Sequence, residues 1–262
     1  HELRLSTDPL NERTLTEEHD AEIVSVFVHS NLNRAALGKL PNLKFIATRS
    51  TGFDHIDLGH CRERGIQVSN VPSYGENTVA EHTFALILAL SRNIHKAFVH
   101  TLAREIPFKE LRGFDLAQKT LGVIGAGRIG LHVIKIAKGF GMNVVAFDVR
   151  QEPLLAEVLN FRYVSIDELL SISDIISLHC PYSPKTHHLI NPDNIQRIKR
   201  GALLINTARG GLIDTAALTR ALDEGILAGA ALDVLEGEEL LKDERQILAQ
   251  SLAQDKLRTL LL

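Results

Sequence analysis

Hydrophobic positions along this chain fall into short runs separated by polar or helix-patterned stretches, the layout of strands alternating with helices. The first runs are Ile23 to Val28, Leu43 to Ala47 and Ile66 to Val68, with polar and Gly/Asn-containing segments between them. They predict an α/β unit of its own. From Glu76 to about Leu102 the spacing predicts one helix whose middle is apolar on nearly all sides and therefore buried, with Ser73 and Glu76 placed as a capping box. A second series of runs comprises Leu121 to Ile124, Val144 to Phe147, Asp174 to Leu178, Ala202 to Ile205 and Ala228 to Leu232. Helices fall between them. The clearest takes Asp214 as N-cap, runs through TAALTRALDE and stops at Gly225. Glu239 to Leu262 is rich in leucine and charge without Gly or Pro, and predicts one or two amphipathic helices.

Within the second series lies TLGVIGAGRIGLHVIKIAKGFGMNVVAFD, Thr120 to Asp148. Gly125, Gly127 and Gly130 directly follow an apolar run. Ile129, Val133, Ile136, Ala137 and Phe140 then recur at helical spacing, and Gly139 and Gly141 supply a stop. A lone G-x-G-x-x-G is weak, but strand, turn, helix and strand in order make a dinucleotide-binding unit. The first glycine permits the tight turn, the second lets backbone approach a pyrophosphate, and the third lets helix pack on strand. The helix N-terminus then favours the phosphate charge. Asp148 ends the next run, where a carboxylate hydrogen-bonds the adenosine ribose and repels a 2′-phosphate, which favours NAD over NADP. Arg150 is close enough to accept a 2′-phosphate if Asp148 turned away.

Composition narrows the function classes. The 262 residues, 45% of them hydrophobic, suit one large domain or two small ones. A formal charge of −3 without a basic block argues against nucleic acid and for a small-molecule partner. Cys61 and Cys180 are the only cysteines, which points to a reducing compartment, plain thiols and no disulfide framework. The run Ala85 to Leu90 is far shorter than the roughly 20 residues of a membrane span, and the chain reads as cytoplasmic. Because it opens on His1 rather than Met, a targeting segment is not tested.

In a doubly wound sheet, ligands lie outside the carboxyl ends of the strands. Three polar segments sit there. NTARGGLID puts Arg209 on a loop whose Gly210 and Gly211 leave room for a ligand, and a guanidinium fork matches a carboxylate and polarises a carbonyl. DVLEGEE places Asp233 at a strand end with Glu236, Glu238 and Glu239 beyond; these either anchor cofactor and orient an imidazole or form a solvated acidic loop. His179 ends another strand, either touching cofactor or serving as a structural residue. His187 and His188 are adjacent, and neighbouring side chains do not converge on one ion unless the turn is unusual. No metal site is expected. No G-x-S-x-G elbow, H-E-x-x-H helix or Walker loop is present.

Six segments in order then resemble the NAD-dependent D-isomer-specific 2-hydroxyacid dehydrogenases: STGFDHID (50–57), NVPSYGENTVAEH (70–82), GAGRIG (125–130), HCPYSPKTHHLI (179–190), NTARGGLID (206–214) and AALDVLEGEE (230–239). The resemblance covers nearly the whole chain. It implies a Rossmann-type doubly wound parallel sheet plus a smaller flavodoxin-like α/β domain. The expected divisions are a substrate domain at 1–75 without its first strand, an NAD-binding domain at 76–245, and a helical segment at 246–262. Arg209 would bind and polarise a 2-oxo acid, and Glu238 would hold the catalytic histidine. Thr51, Gly52 and Phe53 would offer backbone amides to the substrate carboxylate. Gly125, Gly127, Arg128, Ile129, Gly130, Asp148, His179, Cys180, Pro181, Thr207, Ala208 and Asp233 would line NAD, with Asp233 on the nicotinamide amide. Tyr74 resembles the D-lactate dehydrogenase branch, or else packs as an aromatic hinge residue.

The expected substrate is a small 2-oxo acid in a cleft between the domains, and the expected assembly a homodimer through the apolar helix near Phe84 to Leu90. Alternatives within the resemblance are an NAD-sensing corepressor-like protein, a glyoxylate or hydroxypyruvate reductase, and a phosphoglycerate dehydrogenase. One departure stands out: the family's general acid is a histidine after the catalytic glutamate, and this chain has none after His188. The sequence is therefore expected to stop before that segment, leaving turnover about 10²- to 10⁴-fold lower.

Overall fold

The computed structural model describes residues 3–15, 19–104 and 111–237. The chain divides into two compact units, His1–Gly75 and Glu76–Leu262. The expected helices within 239–262 lie outside the described residues.

The first unit holds β1 (Ile23–Val26), α1 (Arg34–Gly38), β2 (Phe45–Thr48), α2 (Leu58–Glu63) and β3 (Gln67–Ser69). The strands are parallel in the order β1-β2-β3, with Ile23 opposite Phe45 and Phe45 opposite Gln67. Each helix start is fixed by a side-chain cap: Asn33 accepts from the Ala36 amide and Asp57 from the His60 amide, both at 2.9 Å. Val24, Val26, Leu32, Leu37, Ile46 and Cys61 fill the core.

The second unit begins with two helices, α3 (Glu76–Ser91) and α4 (Ile94–Leu102), followed by β4 (Thr120–Ile124), α5 (Arg128–Gly139) and β5 (Asn143–Phe147). It continues through α6 (Pro153–Val158), β6 (Arg162–Tyr163), α7 (Ile166–Ile172), β7 (Ile175–Leu178), β8 (Ala202–Asn206), α8 (Thr215–Asp223) and β9 (Leu227–Leu232). Its six parallel strands run in the order β6-β5-β4-β7-β8-β9. Strand order therefore reverses between β4 and β7, the crevice where doubly wound sheets bind ligands. β6 was not expected, because two residues are too few to leave a hydrophobic pattern.

Alternation along the strands sends side chains to two cores. Leu121, Val123, Val144, Ala146 and Ile205 pack with Phe84 and Ile87 of α3 and Val133, Ile134 and Ala137 of α5. On the opposite face, Ile124, Val145, Ile176, Leu178 and Leu204 meet Leu169 and Leu170 of α7 and Leu218 and Ala221 of α8. Helix punctuation follows the sequence closely. Asp214 caps α8 by accepting from the Ala217 amide at 2.8 Å, and Gly225 takes φ +64° just past its end. Gly141 does the same after α5 at φ +71°.

Two expectations about 76–102 are corrected. The single helix is two, broken where Asn93 adopts φ +51°. The break is stabilised by tertiary partners invisible to local pattern: the Phe114 amide donates to Ser91 O at 2.9 Å, and the Asn93 amide side chain donates to Arg112 O at 3.2 Å. The apolar middle needs no second subunit, since Phe84, Leu86 and Ile87 are buried within the unit itself. Apolar residues left in solvent are instead those of α4, with Ile94, Phe98, Val99 and Leu102 all more than half exposed. Glu76, placed as half of a capping box, lies 3.6 Å from the Arg128 guanidinium. Among the described residues no helix is long and apolar enough to cross a membrane.

The helix break makes a testable demand on Gly113, where an added Cβ would stand 2.3 Å from Ser91 O and 2.9 Å from Arg92 Cα. Both obstacles are backbone, so Gly113→Ala is expected to destabilise by about 1–3 kcal/mol through overpacking. Urea unfolding checks this; an unchanged midpoint would remove Gly113 from the contact.

Candidate functional site

The switch-point crevice is built by backbone rather than by side chains. Gly125 takes φ +99°, and a Cβ there would lie 2.6 Å from Cys180 N and 2.7 Å from His179 C. At Gly130 a Cβ would meet Gly125 O at 2.0 Å. The turn after β4 thus touches both the segment after β7 and the first turn of α5 with no room for a methyl group. Gly127 differs: nothing lies within 4 Å of its Cβ position. It is the N-cap of α5 and supplies no side-chain cap, so the N–H groups of Arg128, Ile129 and Gly130, at the helix start, have no capping side chain. No acidic residue occupies that first turn. An uncapped helix start with open space before it is the cradle a pyrophosphate requires, and the residues present fit NAD.

Asp148 stands at the end of β5. Its Oδ2 accepts from the Ala126 amide at 2.8 Å and its Oδ1 from the Arg150 amide at 2.9 Å. A carboxylate offers about four lone-pair sites, so two remain for ribose hydroxyls. Arg150, the alternative 2′-phosphate ligand, directs its Nε to Glu152 at 2.9 Å. That pairing leaves the NAD assignment undisturbed.

His179 is more structural than its position suggests. Its amide donates to Ile124 O at 2.7 Å, and its Nε2 lies 2.8 Å from the Ser177 hydroxyl. Burial pushes the imidazole down to about 4, so it is neutral at physiological pH. Burial likewise pushes the Cys180 thiol up to about 11, keeping it protonated and unreactive. The contribution of 179–181 to the crevice is its backbone.

The loops after β8 and β9 interlock. Asn206 organises the first: its Oδ1 accepts from the Ala208 amide at 3.0 Å and its Nδ2 donates to Arg209 O at 2.9 Å. Thr207 is buried with its hydroxyl 3.0 Å from that of Thr83 in α3. Arg209 follows on extended backbone, its Nη1 donating to Ala208 O at 2.8 Å. The expectation that Gly210 and Gly211 leave space for a ligand is not met. A Cβ on Gly210 would stand 2.1 Å from Leu235 C and O, and one on Gly211 would stand 2.7 Å from the Tyr182 ring. Protein packs against both: backbone closes the Gly210 position and the Tyr182 ring the Gly211 position, with the segment after β9 drawn against the Arg209 loop.

Asp233 donates its amide to Asn206 O at 2.9 Å and sets Oδ1 3.3 Å from His82 Nε2. Sequence reasoning missed His82; an exposed histidine beside buried Thr83 on α3 carried no signal by itself. The adjacent His187 and His188, expected not to converge, do come together. His188 takes φ +48°, and the two rings stack with centroids 3.8 Å apart. His188 Nε2 hydrogen-bonds Glu236 Oε1, while its Nδ1 lies 3.6 Å from Asp214. Desolvation pushes the Glu236 carboxyl up, but the bonds from His188 and Thr215 outweigh it and hold the group below the usual carboxylate range. Glu236 therefore belongs to a hydrogen-bonded cluster at the solvent-exposed surface. Glu238 and Glu239 lie outside the described residues.

In the first unit, Ser50 ties the turn after β2 by donating to Gly52 O at 2.7 Å, and Asn70 donates to Thr51 O at 2.8 Å. The Thr51 hydroxyl donates to Val71 O at 3.0 Å. The N–H groups of Thr51, Gly52 and Phe53 donate to no acceptor among the described residues. Phe53 and Tyr74 present exposed rings.

Comparison with known proteins places this architecture. Residues 84–253 match the family model for the NAD-binding domain of D-isomer specific 2-hydroxyacid dehydrogenases. A 2-hydroxyacid dehydrogenase homolog of Haemophilus influenzae is 42% identical over 231 residues, covering 87% of this chain and 70% of that protein. The D-lactate dehydrogenase of Escherichia coli is 38% identical over 231 residues with the same coverages. Among solved structures, D-lactate dehydrogenase from Aquifex aeolicus complexed with NAD and lactic acid aligns with a TM-score of 0.83 at 43% identity, covering 95% of this chain and 73% of that one. With the glycine cradle, the uncapped α5 start and Asp148 in place, the chain belongs to the D-isomer specific 2-hydroxyacid dehydrogenase family and is an NAD-dependent enzyme of that family.

Proposed function

We propose that the protein interconverts a small 2-oxo acid, of the pyruvate class, and its D-2-hydroxy acid. What carries this reading is Arg209, held at the carboxyl end of β8 in the same parallel sheet whose β4 turn forms the dinucleotide cradle. A 2-oxo acid has one carboxylate and one carbonyl oxygen to be recognised, and a guanidinium fork suits either. Tyr74 and the relatives named for D-lactate dehydrogenase support the small substrate.

When bound, NADH supplies a hydride for the carbonyl carbon. The N–H groups of Arg128, Ile129 and Gly130 hold the pyrophosphate, and Asp148 accepts from the ribose hydroxyls. The backbone of His179, Cys180, Pro181, Thr207 and Ala208 walls the cofactor. Asp233, oriented by His82, accepts from the carboxamide. The Thr51, Gly52 and Phe53 amides receive the substrate carboxylate, as outward N–H groups of a turn do. Arg209 stabilises the negative charge that develops on the carbonyl oxygen. Glu238 orients the proton-donating imidazole of the family, for which this chain has no candidate after His188. Free thiols at Cys61 and Cys180 support a reducing, cytoplasmic setting.

For assembly we propose a homodimer that covers α4, because Ile94, Phe98, Val99 and Leu102 form one exposed apolar face.

Three measurements test these readings. NADH oxidation by the full-length protein, followed with pyruvate and a panel of longer 2-oxo acids, is expected to be fastest with pyruvate; NADH binding without oxidation on any of them would remove the dehydrogenase reading. Arg209→Gln is expected to weaken binding of oxamate to the NADH complex by at least about tenfold, the loss of one charged hydrogen-bonding group, with NADH affinity unchanged. Fluorescence of bound NADH reads both, and undiminished oxamate affinity would move substrate recognition elsewhere. Phe98→Glu is expected to convert the dimer to monomer in light-scattering chromatography; an unaltered mass would exclude α4 from the interface.

A further inference from the structure

We propose that His187, His188 and Glu236 form a binding site for a divalent cation of the zinc class, separate from the dinucleotide cradle. One ligand atom from each of the three residues lies within 4.8 Å of the others, near enough for small side-chain rotations to bring all three onto a single ion. Two imidazoles and one carboxylate are borderline donors that select zinc-like ions over magnesium or calcium. Three protein ligands leave the fourth tetrahedral position to water.

The cluster is more than proximity, because each of the three side chains also has a polar neighbour outside it. The Tyr182 hydroxyl lies 3.2 Å from His187 Nδ1, and the ring of Tyr182 also packs edge-on against His187. Asp214 stands 3.6 Å from His188 Nδ1 while Nε2 of the same ring faces Glu236, the carboxylate–histidine arrangement found behind metal ligands. Glu236 Oε2 accepts from the Thr215 hydroxyl at 3.1 Å and is 3.4 Å from the Thr215 amide, so Oε1 alone turns towards the histidines.

Backbone geometry explains how residues 48 positions apart meet. The His188 amide donates to Gly211 O, Ile190 bridges Ile213, and the Asp214 amide returns to Ile190 O. These bonds lay 188–190 alongside 211–214, and the close approach of Leu235 to Gly210 brings Glu236 to the same point. The φ of +48° at His188 is the unusual turn that lets consecutive histidines share a target. An ion here fastens the segment after β7 to the segment after β9, two residues before Glu238.

The test uses the full chain, stripped of metal with chelator and titrated with Zn²⁺ by calorimetry, with Co²⁺ as a spectroscopic probe. One saturable site is expected, with a visible Co²⁺ band of tetrahedral intensity. His187→Ala and Glu236→Gln are both expected to weaken Zn²⁺ binding by about 10- to 100-fold or more. His132→Ala, a histidine on α5 outside the cluster, is expected to leave the affinity unchanged. Absence of saturable Zn²⁺ binding would overturn the proposal. So would equal affinity in the His187→Ala and Glu236→Gln variants when their far-ultraviolet circular dichroism is native.

Discussion

Two backbones pass one another beside the crevice between β4 and β7 with no space for a side chain, and the remainder of the site depends on that passage. The Gly125 Cβ position stands 2.6 Å from Cys180 N, and the Gly130 Cβ position stands 2.0 Å from Gly125 O. Such distances are far inside van der Waals contact, and the first also occurs at φ +99°, which L side chains rarely adopt. A methyl group at either position would push α5 off the sheet or push the segment after β7 out of the crevice. The first shift would move the start of α5 away from the end of β5, where Asp148 stands, and the second would open the wall of the crevice facing it. Binding geometry here is therefore a packing property before it is an electrostatic one.

The same logic recurs at the far side of the sheet. Gly210 and Gly211 look like a flexible apron around Arg209, yet the neighbours of their missing Cβ atoms are the Leu235 backbone and the Tyr182 ring. Arg209 gains a fixed origin from this, since its own carbonyl is held by Asn206 and the residue after it cannot move without displacing Leu235. Preorganisation of a charged group matters most where charge develops during reaction, because no reorganisation is then needed. Three loops, after β7, β8 and β9, behave as one interlocked layer.

Much of this was legible in the sequence, and what was not has a common cause. Five of the six strands of the large sheet, the glycine turn, the Asp214 cap and the Gly225 stop are written locally, in short apolar runs, helical spacing and punctuation. The break after Ser91 was hidden because its partners, Arg112 and Phe114, lie about twenty residues downstream and pack onto the helix end. β6 was hidden because Arg162 and Tyr163 owe their strand conformation to pairing with Val145 and Ala146, not to their own character. The clustering of His187 with His188 was hidden by a left-handed residue that is not glycine, which composition never advertises. In each case a long-range contact overrode a local rule.

Asp148 shows why cofactor choice and turn geometry cannot be separated in this fold. The carboxylate that faces the ribose also accepts from Ala126, which sits between Gly125 and Gly127. It accepts from the Arg150 amide as well, and so fixes the backbone of the residue that would otherwise compete for a 2′-phosphate. Replacing it with a neutral residue to admit NADP would remove the repulsion but would also release two backbone donors. A hydrogen bond to a charged acceptor contributes about 1.5–3 kcal/mol, comparable with the preference being altered. Asparagine could satisfy one amide through its oxygen and would turn an N–H group towards the other. A route to NADP that preserves the turn therefore has to keep Asp148 in place and supply its cation from a neighbouring position, after first freeing Arg150 from Glu152.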